Sequence, residues 1–255
     1  MALPLESEFR AFAAEATDPV EGALLISRLI YPGTNPTWCR HELERLAATC
    51  GEPPDAVRMT DTLRSAGFGG ADDYYQPENS ALELVLRKQR GIPISLAMVL
   101  VGVARTRGVH ATGINFPNHF LVQVDGRMVD PFALEVLDDA ALLKRVSATG
   151  LTAAQALRPA TATEVVVRML NNLRTLAASR HDFQRALELS DYQMLLTPGS
   201  YLVHLARAEL WYASEVPAMV RAELESARDC APTAALKAEI EISLAALKAP
   251  PPTLH

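Results

Sequence analysis

The chain has 255 residues, 49% hydrophobic and 21% charged, with a formal net charge of −6. That is enough apolar material for a buried core, and the mild acidity, spread without blocks of like charge or basic clusters among aromatics, argues against nucleic-acid binding. Glu6 and Glu8 stand where an export signal would be basic and then apolar, and the longest apolar run, Pro93 to Ala104, is too short to span a bilayer, so a cytoplasmic protein with no membrane partner is expected.

Phe9, Phe12, Ala13 and Ala16, then Ala23, Leu24, Ile26, Leu29 and Ile30, recur at helical spacing and predict two helices broken at Asp18-Pro19. A loop over Tyr31 to Pro36 precedes a helix from Pro36 to Thr49, and another covers Asp55 to Ala66. Cys39 lies two residues before His41, but it reads as a small hydrophobe at a helix start rather than a nucleophile beside its base. With Cys50 and Cys230 the cysteines are odd in number and lack C-x-x-C spacing, which argues against a disulfide framework and a zinc site.

Gly67 to Asn79 reads as an ordered loop rich in side chains that hydrogen-bond, able to line a site. Ser80 and Glu83 match a capping box that would start a helix over Ala81 to Arg90, with Gly91 as its stop. Pro93 suits the first turn of a following helix that is apolar on nearly every side, with Gly102 admitting a close neighbour and Gly108 ending it. The period then changes to two: Val109 to Phe116, His119 to Val124 and Arg127 to Asp130 predict short strands, with Asp125-Gly126 as a two-residue hairpin turn. Helix returns after Phe132, a linker is expected at Thr149 to Thr163, and five helical segments follow at 164–179, 182–196, 200–213, 217–230 and 233–248. Pro198 and Pro232 are 34 residues apart, the period of a tetratricopeptide repeat, and Ala186, Leu224 and Ala227 fall at its packing positions.

The hairpin turn fixes a register that pairs Val124 with Arg127 and so Leu121 with Asp130. His119 shares a face with Leu121, which makes His119 and Asp130 diagonal neighbours, ~7 Å apart at the backbone and within reach of an imidazole and a carboxylate. Ser95 falls in the first turn of the buried helix, where free amides and the helix dipole favour developing negative charge. Ser95 as nucleophile, His119 as general base and Asp130 as orienter form the candidate catalytic set, in an order that resembles the transglutaminase and papain-like arrangement.

Asp73-Tyr-Tyr75, Pro77-Glu-Asn-Ser80, Arg90-Gly-Ile-Pro-Ile-Ser-Leu96, Phe116-Pro-Asn-His-Phe120 and Asp130-Pro-Phe132, followed by the repeat-like tail, resemble the SirB family of transglutaminase-like proteins. The resemblance implies an α+β, mostly helical fold: a transglutaminase/papain-like core with a small antiparallel sheet over residues 1–150, then a tetratricopeptide-like region over 164–248. It sets Ser95 near the usual cysteine, His119 at the histidine and Asp130 at the aspartate, with Asn118 where the family usually has glycine. A hydroxyl ionises far less readily than a thiol, so two readings stand. One is a serine-dependent acyl transferase or amidohydrolase acting on an amide or ester. The other is a non-catalytic or weakly active descendant whose groove binds a protein or peptide partner, with Ser95 as a helix cap.

Tyr75, Asn79 and Arg90 are the candidate ligand contacts; alternatively Tyr75 covers the core, Asn79 holds a turn and Arg90 closes a helix. His41, His110, His181 and His204 lack metal-ligand spacing and no phosphate loop or dinucleotide fingerprint is present, so no cofactor is expected.

Overall fold

The computed structural model describes residues 3–15 and 17–247, so Met1, Ala16 and Lys248 of the expectations above lie outside the described residues. The chain divides into two compact units, residues 11–169 and residues 1–10 with 170–255. In chain order the elements up to the hairpin are α1 (Glu6–Glu15), α2 (Pro19–Ile30), α3 (Pro36–Ala48), α4 (Ala56–Ser65), β1 (Gly69–Gly70), α5 (Leu82–Lys88), β2 (Arg90–Gly91) and α6 (Pro93–Thr106). Then come β3 (Ala111–Ile114), β4 (Leu121–Val124), β5 (Arg127–Asp130), β6 (Glu135–Val136), α7 (Asp139–Ser147), α8 (Ala153–Ala156) and α9 (Ala162–Ser179).

Asparagine and aspartate start the helices as their short side chains dictate: Asp18, Asn35 and Asp55 accept from the amides of Val20, Trp38 and Arg58. Helix α6 is the centre of residues 11–169, and every residue from Pro93 to Ala104 is buried. It packs on α2, α3, α4 and α5 and on strands β3 and β4. Gly102 makes room for α3, since a Cβ there would lie 2.8 Å from the Leu43 side chain. Strands β3 to β6 form one antiparallel sheet in sequence order, and the hairpin register pairs Val124 with Arg127 and Val122 with Val129, as Asp125-Gly126 dictates. Both turn residues have positive φ, 45° and 81°.

Four expectations differ from the structure. Ser80 closes a 3-10 turn instead of capping α5, and the buried Glu83 carboxylate accepts from the Asn35 amide (2.5 Å) and Arg87 Nε (2.9 Å), so no capping box forms. Helix α5 ends at Gln89 in the left-handed region (φ 57°) before Gly91, which lies in β2 and pairs in parallel with β1. Strand β6 follows the Asp130 turn before helix resumes. Finally, the segment expected as a linker holds α8, and Ala160 N donates to Gly113 O (2.8 Å), tying it to the sheet edge.

The second unit is helical, with α10 (Phe183–Leu196), α11 (Tyr201–Ala213), α12 (Pro217–Cys230) and α13 (Ala234–Ala246), each packed on the next. Ala208, Val220, Leu224, Ala227, Ile240 and Leu244 build its core, and Phe9 stacks on the buried Tyr192 of α10 at 4.6 Å between ring centroids.

Candidate active site

His119 and Asp130 meet. Phe116 O accepts from the His119 amide in a tight turn that enters β4, and the ring's Nε2 lies 2.9 Å from Asp130 Oδ1 at the end of β5. Residue Asn118 adopts φ 56°, a left-handed conformation that glycine takes freely and asparagine tolerates, so the turn that presents His119 forms with asparagine at this position. The carboxylate is almost wholly buried and both of its oxygens are engaged: Oδ1 also accepts from the amides of Phe132 (3.0 Å) and Ala133 (3.2 Å), while Oδ2 pairs with Arg145 Nη2 at 2.9 Å. Burial pushes the Asp130 carboxyl up, but the His119 hydrogen bond and charge, aided by the two amides, overcome it and hold it below its ordinary range.

Arg145 on α7 was missed from the sequence. It stands 15 residues beyond its partner on a different element, and no local spacing signals such a pair. With Nε2 engaged by Asp130, the Nδ1 edge of His119 has no protein partner among the described residues, and the side chain remains 21% exposed. The imidazole is thus oriented as a hydrogen-bonding or proton-accepting group with one edge for a ligand.

Ser95 is held elsewhere. It is the third residue of α6, 0% exposed, and its Oγ accepts from Ile92 N (3.0 Å) at the helix entry. Its proton has two carbonyls in reach, Asn79 O at 2.6 Å and Ile92 O at 3.0 Å, and the shorter contact takes it. Gly91 leaves room for this hydroxyl, since a Cβ there would sit 2.6 Å from Ser95 Oγ. The structure records no hydrogen bond between Ser95 and His119.

Among the remaining candidates, Asn79 donates from Nδ2 to Asp73 O (2.6 Å) and Tyr74 O (3.3 Å), and its own carbonyl receives Ser95, so it joins the loop to the helix start. Arg90 donates to Gly67 O and Gln89 O, which fastens the end of α5 beside β1. Tyr75 is 70% exposed and so does not cover the core; its ring meets Tyr74 edge-on at 5.3 Å, and Tyr74 lies 6.3 Å from Phe132. Phe132 in turn occupies the space over Gly70, where a Cβ would come within 2.3 Å of its ring. Phe132 belongs to the turn that holds Asp130, since its amide donates to Asp130 Oδ1. Cys39 is buried in α3 and its thiol is pushed up to about 12, chiefly by burial and then by Glu83, which removes it as a nucleophile.

A sequence profile described as the transglutaminase-like superfamily matches residues 38–171, which span every residue of this site. The chain belongs to the transglutaminase-like superfamily. It is 32% identical over 222 residues to a UPF0162 protein of Xylella fastidiosa, covering 77% of this chain and 78% of that one. A UPF0162 protein of Pseudomonas aeruginosa is 30% identical over 240 residues, 88% of each chain. F-box only protein 21 of Mus musculus shares a shorter stretch, 36% identical over 74 residues, 28% of this chain and 12% of that protein. No solved structure matches. The transglutaminase-like fold here brings a histidine and an aspartate together at a hairpin, and places a serine in the first turn of the central helix.

Proposed function

We propose that this chain is a non-catalytic or weakly active transglutaminase-like protein of SirB type, a regulatory module that binds a protein or peptide partner in the cytoplasm. The observation that carries the reading is the state of Ser95. A nucleophilic hydroxyl needs a lone pair facing substrate and a proton facing its base. The Ser95 hydroxyl is buried, receives the Ile92 amide and donates to Asn79 O, so its hydrogen-bonding capacity serves the start of α6. His119 and Asp130 keep the geometry of an acid–base pair, and the exposed rings of Tyr74, 6.3 Å from the Phe132 ring, and Tyr75 offer a surface for a ligand. The C-terminal helices, read as degenerate tetratricopeptide hairpins from Pro198, Pro232 and the buried Ala186, Leu224 and Ala227, supply the partner-binding surface of the module. For helices α10 to α13, the pairwise packing of each on the next supports this reading.

The second reading, a serine-dependent acyl transferase or amidohydrolase, is favoured by one observation, the 2.9 Å His119–Asp130 contact. A fluorophosphonate separates the two. Treated with the reagent and read by intact mass, the folded protein is expected to remain unlabelled. Stoichiometric labelling that disappears in both Ser95→Ala and His119→Ala would establish an activated serine and overturn the binding-module reading.

A further inference from the structure

The free edge of His119 has a definite polarity. Asp130 is held ionised and both of its oxygens receive donors, so the proton of the 2.9 Å contact sits on His119 Nε2. In the neutral ring Nδ1 is then a lone-pair acceptor. It has no protein partner among the described residues, and it is not one of the unpartnered atoms sealed from solvent. A ligand at this edge must therefore bring an N–H or an O–H.

Arg168 on α9 adds a charge to the same site. Its Nη1 donates to Asn115 Oδ1 at 2.9 Å, and Asn115 follows β3 and opens the connection to β4 that carries His119. The Arg168 charge also acts on Tyr74: burial raises the Tyr74 hydroxyl, and Arg168 draws it back down. The Tyr74 ring lies 6.3 Å from Phe132, whose amide donates to Asp130 Oδ1 at 3.0 Å. Arg168 is thereby tied to both halves of the site, to the His119 turn through Asn115 and to the Asp130 turn through Tyr74 and Phe132. All of these residues lie within the unit of residues 11–169. Asn115 is neutral, and no carboxylate pairs with Arg168 among the described residues. Acids of the neighbourhood are already engaged: Asp130 by His119 and Arg145, Glu164, one turn earlier on α9, by Arg158 at 2.6 Å, and Asp73 by Gln76 Nε2 at 2.5 Å. An unmatched guanidinium favours an anion, and its planar donors fit a carboxylate. A single cation suits a monoanion better than a phosphate. The exposed rings of Tyr74 and Tyr75 favour an apolar body. A carboxylate, a backbone N–H and an apolar side chain come together at the C-terminal end of a peptide.

We propose that the His119 site binds the C-terminus of a peptide partner, with its carboxylate on Arg168, a backbone N–H donating to His119 Nδ1 and an apolar terminal side chain against Tyr74. The proposal rests on the reading of this site as one that takes a peptide, and names the end of the peptide that it takes. The chain has six histidines, so nitrogen-15 labelling of histidine gives six ring systems, and His119→Gln assigns the one that disappears. The full-length protein is titrated with N-acetyl-glycyl-phenylalanine; its methylamide, which lacks the carboxylate, and 3-phenylpropionate, which lacks the N–H, are the comparators. The free protein should show the His119 ring as the Nε2–H tautomer, and the peptide acid should move its Nδ1 signal saturably. Both comparators should bind about three- to tenfold more weakly than the acid. Arg168→Gln keeps a donor for Asn115 and removes the charge. It should weaken the acid about three- to tenfold and leave the methylamide unchanged, a difference that a disturbed fold does not produce. No saturable shift of the His119 signals, a methylamide that binds as tightly as the acid, or an acid affinity unchanged in Arg168→Gln would each overturn the proposal. Fluorophosphonate labelling is a separate readout. An unlabelled protein that does not bind the acid overturns this proposal alone, and a labelled Ser95 in a protein that still binds the acid overturns the non-catalytic reading alone.

Discussion

Replacing Ser95 by alanine tests whether the hydroxyl serves the fold or the chemistry. The change removes the acceptor of Ile92 N and the donor to Asn79 O, at a position with no solvent to substitute. An orphaned buried amide costs about 1–3 kcal/mol, and the partly buried Asn79 carbonyl adds up to about 1 kcal/mol. Alanine returns about 0.5 kcal/mol of helix propensity. The net loss is about 2 kcal/mol, worth about 4–8 °C in melting temperature for a unit of this size. Trp38, stacked with Arg87 at 4.0 Å within residues 11–169, reports this unit in urea unfolding when Trp211 is replaced by phenylalanine. The expected result is a lower midpoint at unchanged slope. Stability within about 0.5 kcal/mol of the parent protein would refute the reasoning, because a hydroxyl that contributes nothing to the helix start is one held for another purpose.

The same pocket predicts coupling. Gly91→Ala should cost about 1–3 kcal/mol by pushing a methyl towards Ser95 Oγ, and much less in the Ser95→Ala background, which a double-mutant cycle measures directly. Asp130→Asn should lower stability by about 2–4 kcal/mol at neutral pH, since Arg145 and His119 both lose their carboxylate. Asp130 is held low in the folded state, so its contribution is complete above the ordinary aspartate value of about 3.9 and is lost as pH falls through the depressed one; the gap between parent and variant, followed by urea midpoints, should close in that acid window. Arg145→Ala should leave the His119–Asp130 contact in place but raise the Asp130 pKa, visible by carboxyl NMR titration; an unmoved titration would mean that Arg145 has no share in holding the carboxylate. Under native conditions a maleimide should modify Cys230 quickly and leave the buried Cys39 and Cys50 untouched, with three labels by mass in denaturant.

What was legible in the sequence is what local chemistry dictates. Asp125-Gly126 allows one tight turn, that turn sets one register, and the register with the Phe116–His119 turn ahead of it brings His119 to Asp130; Asp18, Asn35 and Asp55 mark helix starts because their side chains reach the free amides. What was not legible depends on partners far along the chain. Ser80 and Glu83 have capping-box spacing, yet the Glu83 carboxylate is taken by the Asn35 amide, 48 residues away, and a pattern of four residues cannot reveal a competing donor. Gly91 looked like a helix stop because glycine ends helices, whereas its missing side chain is needed by a hydroxyl four residues later, and Gln89 takes the left-handed turn instead. The contrast extends to the site itself. The hairpin pair could be derived, because Asp130 ends one paired strand and His119 lies two residues before the other, but the partners of Ser95 lie in its own helix entry and in the turn before α5. A serine in the first turn of a central helix is suited equally to attack a substrate and to close the helix. The observation that favours closing the helix is the carbonyl of Asn79, 2.6 Å from the Ser95 hydroxyl, which a motif centred on Ser95 does not include.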